Sequence, residues 1–473
     1  MMMKNIYIIL IAILLSSCSA DEFLDVKPTG VVIPESVNDF DMLMQSPTMH
    51  RSNWTNLNYW DPDVLLSDKM LNLIQSSKSL VNQYKWAENI YSVSENDEDW
   101  NILYSNIYVY NTIIKEIDDA PLGLLTETDR IRVKGEAYGQ RAMEYFLLAC
   151  EYVPAYSTDT KDKLAIPMPM EANITVDIPK STVGEIYNQI LSDLKVAAPL
   201  LENAPAINQE ANFRPGLASV KGLLALVSLH MGDFAAAKTY SSEALVLYNH
   251  LYDYTTFSNK RPGDAWSGLN IDDFTLGLND KSVIWSRINQ WSYSFPYDGH
   301  LYHPDLRALF DQVNDQRYIL FSSSKANPNS GFGDLTVSPN VAYASKDKAS
   351  QAGLSVANLT LVQAEACIRT NDKDGAVNAL NTLLVKRIKS FTPLVASDFA
   401  DNTAVLNKVK QERRKELMAT GNYLIDLKRY HALGESIPTF TRVINSKTHT
   451  LEPGSSKYAL PIPLKVQALN SNL

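Results

Sequence analysis

Between Phe213 and Tyr248 the chain reads FRPGLASVKGLLALVSLHMGDFAAAKTYSSEALVLY, and its apolar residues fall at three- and four-residue steps. Leu217, Val220, Leu223, Leu224 and Val227 share one helical face. Met231-Gly232-Asp233 interrupts the pattern. Gly232 tolerates the left-handed backbone that ends a helix, and Asp233 has the side chain to cap the next one. A second helical pattern follows through Phe234, Ala237, Ala244, Leu245, Leu247 and Tyr248, while Ala225, Ala235 and Ala236 leave room for close approach. The stretch predicts an antiparallel helix pair resembling one tetratricopeptide repeat, a unit that needs neighbours to cover its faces.

Those neighbours are visible on both sides. From Glu95 one apolar face runs Trp100, Leu103, Ile107, Tyr110, Ile114, Ile117, and Ala120-Pro121 with Gly123 ends it. Glu127 to Tyr152 predicts the next helix, broken by Val153-Pro154; Ile166 to Met170, with two prolines, reads as an extended linker, and Thr182 to Leu201 as a helix. A second pair is predicted from Asn358, with the turn Asn371-Asp372-Lys373-Asp374-Gly375 and Asp374 as its cap, followed by a helix from Ala404 to Met418 that ends at Gly421. Residues 19 to about 60 read as an extended leader with turns. Between about Tyr252 and Tyr343 helical periodicity fades, Gly and Pro become frequent, and aromatic residues cluster. A long irregular insertion in a repeating chain is more often functional than decorative. The fold class is mainly α, a helical-repeat scaffold with a loop-rich region and few short strands.

The N-terminus sets the compartment. Lys4 precedes an apolar run of ten residues, Ile6 to Leu15. Ten residues are too few to span a bilayer, which takes roughly 20, but they fit the core of a signal peptide. Leu15-Ser16-Ser17-Cys18 then looks like a bacterial lipobox, so Cys18 is the expected site of lipidation, and several acyl chains together anchor a protein stably. The formal net charge of −10 carries no long like-charge runs and argues against nucleic acid as a partner. With three cysteines in all, one of them Cys18, a disulfide scaffold is excluded; Cys150 and Cys367 are read as buried thiols, with a bond between them left open.

Seven motifs in order resemble the SusD/RagB family of surface nutrient-binding lipoproteins. They are Cys18 with Asp21-Glu22-Phe23-Leu24-Asp25; Gly135-Glu136-Ala137 through Arg141-Ala142 to Tyr145-Phe146; the repeat Ala218 to Ala244; Asp315 with Arg317; Ala364-Glu365-Ala366 onward to Leu380-Asn381; Glu412-Arg413-Arg414-Lys415-Glu416-Leu417 with Gly421, Asp426 and Arg429; and Tyr458 to Pro463. The resemblance implies a signal peptide over 1–17 and a SusD-like domain over 18–473. Within it, helical repeats would occupy about 95–250 and 355–430, and an irregular ligand-binding region about 252–345. It implies an outer-membrane protein, lipid-anchored and facing the cell surface, that is not an enzyme and uses no cofactor. Such a protein captures a glycan or oligosaccharide and passes it to a SusC-like TonB-dependent transporter. A peptide-capturing lid of the RagB type and a pure assembly scaffold are the alternatives.

Sugar rings lay their C–H faces on aromatic rings while neighbouring amides and carboxylates bond the hydroxyls. The candidates are Trp54, Tyr59 and Trp60 in the early stretch, and Trp266, Trp285, Trp291, Tyr293 and Tyr297 in the middle region. Asn289 and Asp298 are polar partners among the rings, and Asn53, Asn56 and Asn58 among the early ones. The family resemblance implies that these two regions assemble the ligand site. For each single ring, and for Trp285 in the strand-like Ser282 to Ser286 above all, the competing reading is core packing. Glu412 and Glu416, one turn apart with basic residues between, read as a salt-bridged scaffold rather than a catalytic pair. Asn371 to Gly375 mimics a calcium loop but lacks the twelfth-position glutamate, where Thr382 stands. His300 and His303 lack the companions of a zinc site.

Overall fold

The computed structural model describes residues 34–473 apart from 47–48, 50–54, 67–70, 73, 77, 174, 272–279, 288–300, 326–340, 344–352 and 471. Its scaffold is a row of helices: α1 (Val37–Met44), α2 (Thr55–Trp60), α3 (Lys78–Tyr84), α4 (Glu98–Glu116), α5 (Glu127–Tyr152), α6 (Val183–Leu200), α7 (Leu217–His230), α8 (Phe234–Leu247), α9 (Val356–Arg369), α10 (Lys373–Leu384), α11 (Asn402–Glu416), α12 (Asn422–Ala432) and α13 (Leu464–Leu469). Each helix from α4 to α10 packs on the next, and α9 also packs on α11. Since α8 lies directly against α9, the hundred or so residues between them are looped out of the stack.

Local chemistry sets the boundaries. Thr126 and Asp129 form a reciprocal capping box at the start of α5, and Thr182 with Glu185 does the same for α6. Asp233 accepts a hydrogen bond from the Ala236 N–H to start α8, one residue after Gly232 at φ +78°. The second repeat turn is capped by Asp372, which accepts from the Gly375 N–H, and not by Asp374: Asn371 takes the left-handed conformation (φ +62°), and the helix starts two residues earlier than a cap at 374 would allow. The expected extended leader contains a helix instead: Ser36 and Asp39 form a capping box, and Val37, Phe40 and Met44 pack onto Tyr110, Ile113, Ile117 and Val133. Cys150 and Cys367 are buried and free. No described helix is long and apolar enough to cross a membrane.

Short strands complete the fold. Ahead of α6, β2 (Leu164–Pro167) pairs with β3 (Lys180–Thr182), and an unforeseen hairpin of β11 (Phe440–Ile444) with β12 (Lys447–Leu451) follows α12. In the looped-out region, a hairpin pairs β4 (Asn259–Arg261) with β5 (Asp264–Leu269). At its base, β6 (Val283–Trp285) pairs with β10 (Leu354–Ser355) against α7, where a Cβ on Gly222 would fall 2.6 Å from the Leu354 Cδ2 methyl and push that side chain aside. A four-stranded antiparallel sheet has the order β1 (Val64–Leu65), β7 (Leu301–Tyr302), β9 (Ala342–Tyr343), β8 (Ser322–Ser323).

The family-like motifs meet as buried ion pairs. Arg141 forks onto Asp193 at 2.7 and 2.8 Å and reaches Asn111 at 2.8 Å, tying α5 to α6 and α4. Glu412 accepts from Arg317 (2.8 Å) and lies 2.7 Å from Lys415; Arg413 forks onto Asp426 (2.9 and 3.1 Å); Glu416 takes Arg387 (2.9 Å). Glu365 takes Arg429 at 2.6 and 2.8 Å and Arg369 at 2.7 Å. The glutamates of α11 are thus scaffold, as their spacing indicated. Burial alone would raise the carboxyls of Glu365 and Glu412, but the surrounding cations win and hold both below the usual carboxylate range. Their stabilisation is therefore present above about pH 4.3 and lost as pH falls toward their folded values.

Glu412→Gln leaves Arg317 and Lys415 buried with a missing counter-charge. It is expected to cost about 3–5 kcal/mol in urea denaturation at pH 7, with a smaller difference from the parent at pH 3. An unchanged midpoint at pH 7 would contradict the assignment.

Candidate functional site

The two stretches expected to build a ligand site are joined in the structure. Val64 pairs with Tyr302 and Leu65 with Leu301, so β1, which follows α2 by a few residues, is hydrogen-bonded to the strand that follows residues 288–300. Trp266 brackets this seam. Its ring, 4% exposed, packs with Leu301, Ala265 and Leu65, and its Nε1 donates to the Lys325 carbonyl at 2.8 Å.

Buried charges hold the early side in place. Arg442 donates to the carbonyls of Asp61 (2.6 Å), Tyr84 (2.7 Å), Val64 (3.0 Å) and Tyr59 (3.2 Å). Its guanidinium also lies 4.0 Å from the Tyr84 ring centre and 4.1 Å from that of Trp86. Burial pushes its pKa down to about 10, so it stays cationic at neutral pH. Asp63 receives Arg414 from α11 at 2.8 and 3.1 Å. Burial opposes the charge of Arg414, but the Asp63 carboxylate outweighs it and raises the pKa. Asp61 is pushed up to about 7, first by burial and then by the Asp63 charge beside it. Sequence reasoning missed Asp61, Asp63, Arg414 and Arg442 as site residues. The alternation of β11 carried a signal, since Arg442 falls on the same face as the buried Ile444 while Val443 points out, 70% exposed.

The remaining candidates divide into buried walls and residues outside the described set. Tyr59 (2% exposed) and Trp285 (0%) are packed in cores, so with Trp266 they form walls rather than open stacking faces. Trp60 is 1% exposed, yet it lines a cavity of about 350 Å³ with Tyr152, Pro154 and Leu460, and its Nε1 has no hydrogen-bond partner among the described residues. Asn56 is committed to structure: its amide donates to Glu151 (3.0 Å) and Asp97 (3.2 Å) and accepts from Gln83 (2.6 Å). Trp54, Asn289, Trp291, Tyr293, Tyr297, Asp298 and Cys18 lie outside the described residues. His303 caps the helix Pro304–Arg307, and no group of three His, Cys, Asp or Glu side chains among the described residues is set to hold a metal ion.

Comparison with known proteins agrees with this architecture. Residues 22–229 match a SusD-like family described as starch-binding and associating with the outer membrane, and residues 316–473 match the SusD family. A SusD-like carbohydrate binding protein from Bacteroides vulgatus superposes with a TM-score of 0.66 at 21% identity, over 93% of this chain and 98% of that one. SusD superfamily proteins from Bacteroides thetaiotaomicron (0.68, 18% identity, 92% and 98% covered) and Bacteroides fragilis (0.68, 20%, 93% and 100%) share the fold as well. No curated protein sequence matches.

The raised Asp61 predicts a pH dependence. Its folded pKa of about 7 lies above the unfolded value near 3.9, so its contribution is complete below about pH 4 and lost as pH rises through 7. Asp61→Asn keeps the acceptor that receives the Asp63 N–H at 2.9 Å and removes the titration. Between pH 5 and 8 the parent should lose a few kcal/mol relative to this variant in urea midpoints. Parallel profiles would contradict the burial of an ionising Asp61.

Proposed function

The chain belongs to the SusD/RagB family, and we propose that it is a surface lipoprotein, processed after residue 17 and acylated on Cys18, that captures a glycan at the seam. It hands the glycan to a SusC-like TonB-dependent transporter, which the helical stack faces. The protein performs no chemistry on the ligand. The observation that carries this reading is the pairing of β1 with β7, which brings the ends of both aromatic stretches to one sheet. Trp54 lies ten residues before Val64, and Trp291, Tyr293 and Tyr297 directly precede Leu301. The likeness to a carbohydrate binding protein of Bacteroides vulgatus supports the same ligand class.

Calorimetric titration of the chain from Ser19 against polysaccharides, oligosaccharides and peptide digests tests the proposal. Saturable binding to one glycan class is expected. Trp54→Ala and Trp291→Ala should each weaken it about tenfold, near the 1.4 kcal/mol that a lost stacking ring represents, without moving the urea midpoint. Trp266→Ala should instead lower stability by about 3–5 kcal/mol, as expected of a wall residue. Binding to peptides alone, or glycan affinity indifferent to both Trp54 and Trp291, would overturn the reading.

A further inference from the structure

A cavity of about 670 Å³ runs along α4, away from the seam. Trp100, Tyr104 and Tyr108 line it from successive turns of the helix, their backbone positions about 6 Å apart along its axis. Trp100, only 4% exposed, anchors the row: its ring lies 4.7 Å from that of Tyr104 and edge-on to Tyr152 at 5.0 Å. Tyr108 ends the row, 43% exposed.

Pro167, Pro169, Glu171, Asn173, Val176 and Ile178 form the facing wall, and hydrogen bonds staple the two walls together. The Tyr104 hydroxyl donates to the Pro167 carbonyl (2.7 Å), and the Asn111 amide (2.9 Å) and Tyr145 hydroxyl (2.6 Å) donate to that of Pro169. Behind them, Asn111 is held in turn by Arg141. At the far end, Asn470 beyond α13 donates to the Ile178 carbonyl at 3.1 Å. One wall is a helix and the other is stapled to it, so a ligand entering the groove does not have to bring the two walls together.

Its chemistry is selective. Asn101 and Ser105, on the row beside the rings, are exposed, and their side chains make no hydrogen bond among the described residues. The Asn173 carbonyl oxygen is occupied by Thr175, at 2.9 Å from its N–H and 2.8 Å from its hydroxyl, which leaves the amide's NH₂ as a donor. Among the lining residues only Glu171 carries a side-chain charge. A phosphate, sulfate or uronate would find no cation in that lining, in a chain of net charge −10, and desolvating an unpaired anion is costly. Flat apolar rings beside free amide and hydroxyl groups suit a neutral, hydroxyl-rich ligand with apolar faces.

We propose that this groove is a second saccharide site, which takes a short neutral oligosaccharide stacked along Tyr104 and Tyr108, with hydroxyls bonded by Asn101, Ser105 and Asn173. It shares the ligand class of the seam but none of its residues. The two are separated by titrating the chain from Ser19 with maltoheptaose, xylohexaose and mannohexaose, and with decaproline as the competing extended peptide. In a Trp54→Ala/Trp291→Ala background, residual saturable binding to at least one sugar is expected. Tyr108→Ala should weaken that binding about tenfold and Asn101→Ala several-fold, both with unchanged thermal midpoints because both side chains are exposed. Should Trp54 and Trp291 prove irrelevant to affinity, the seam reading fails while loss of binding in Tyr108→Ala still upholds the groove. Absence of any sugar binding sensitive to Tyr108 and Asn101, or Tyr108-dependent binding of decaproline alone, would overturn the proposal.

Discussion

The structure depends on five consecutive side chains of one helix. Residues 412 to 416 leave α11 at successive turns of about 100°, and so reach different parts of the molecule. Glu412 meets Arg317, Arg413 meets Asp426, Arg414 meets Asp63, Lys415 meets Glu412, and Glu416 meets Arg387. Taking each of these charges out of water costs several kcal/mol, and only the partners offset it. The lowered pKa of Glu412 shows which effect wins there: burial opposes its charge, and three cations overcome burial. A stack of helix pairs is bound mainly by contacts between neighbours, which cannot by themselves fix a segment looped out of the stack. The ionic hub supplies the long-range restraint that the repeats lack.

From the hub the constraint passes to the seam. Arg414 fixes Asp63 next to β1, and Arg442 gathers four backbone carbonyls of residues 59–84 around a single guanidinium. One guanidinium thereby supplies donors to carbonyls from four positions of a stretch whose regular backbone pairing is short. Trp266 then closes the joint from the opposite side. The described edges of the looped-out region are thereby tied to the scaffold by charge on one side and by a packed ring on the other.

Much of this was legible in the sequence. Glu127 to Tyr152 was bounded correctly because a capping residue opens it and Val153-Pro154 closes it. The helix pairs and the salt-bridged reading of Glu412 and Glu416 rest on local periodicity and spacing, and the fold bears them out, whereas the family resemblance rests on seven motifs in order and is met by the family models over residues 22–229 and 316–473. Pairings between distant segments were not legible. Strands of two residues such as β1 and β7 carry no periodic signal, so nothing in the chain announced that Val64 meets Tyr302. Asp315 and Glu412 belong to separate motifs, and only folding shows that they share Arg317. Composition likewise cannot say which way a ring points. Trp266 and Trp285 are candidate stacking rings whose competing reading is core packing, and both are packed. The groove along α4 was hidden for a related reason: helical periodicity marks the apolar face of Trp100, Leu103 and Ile107, and says nothing of a wall that folds against Tyr104 and Tyr108, which continue the row of Trp100.

Amide hydrogen exchange of Arg414→Met against the parent protein tests most directly whether the hub holds the seam. Arg414 is the link between α11 and the early stretch, through Asp63, and its ring contact with Tyr423 at 4.3 Å stays within the scaffold. The account predicts faster exchange confined to residues 61–66 and 301–302, with α4 to α10 protected as before. Unchanged exchange across the seam, or a uniform increase throughout the molecule, would contradict it.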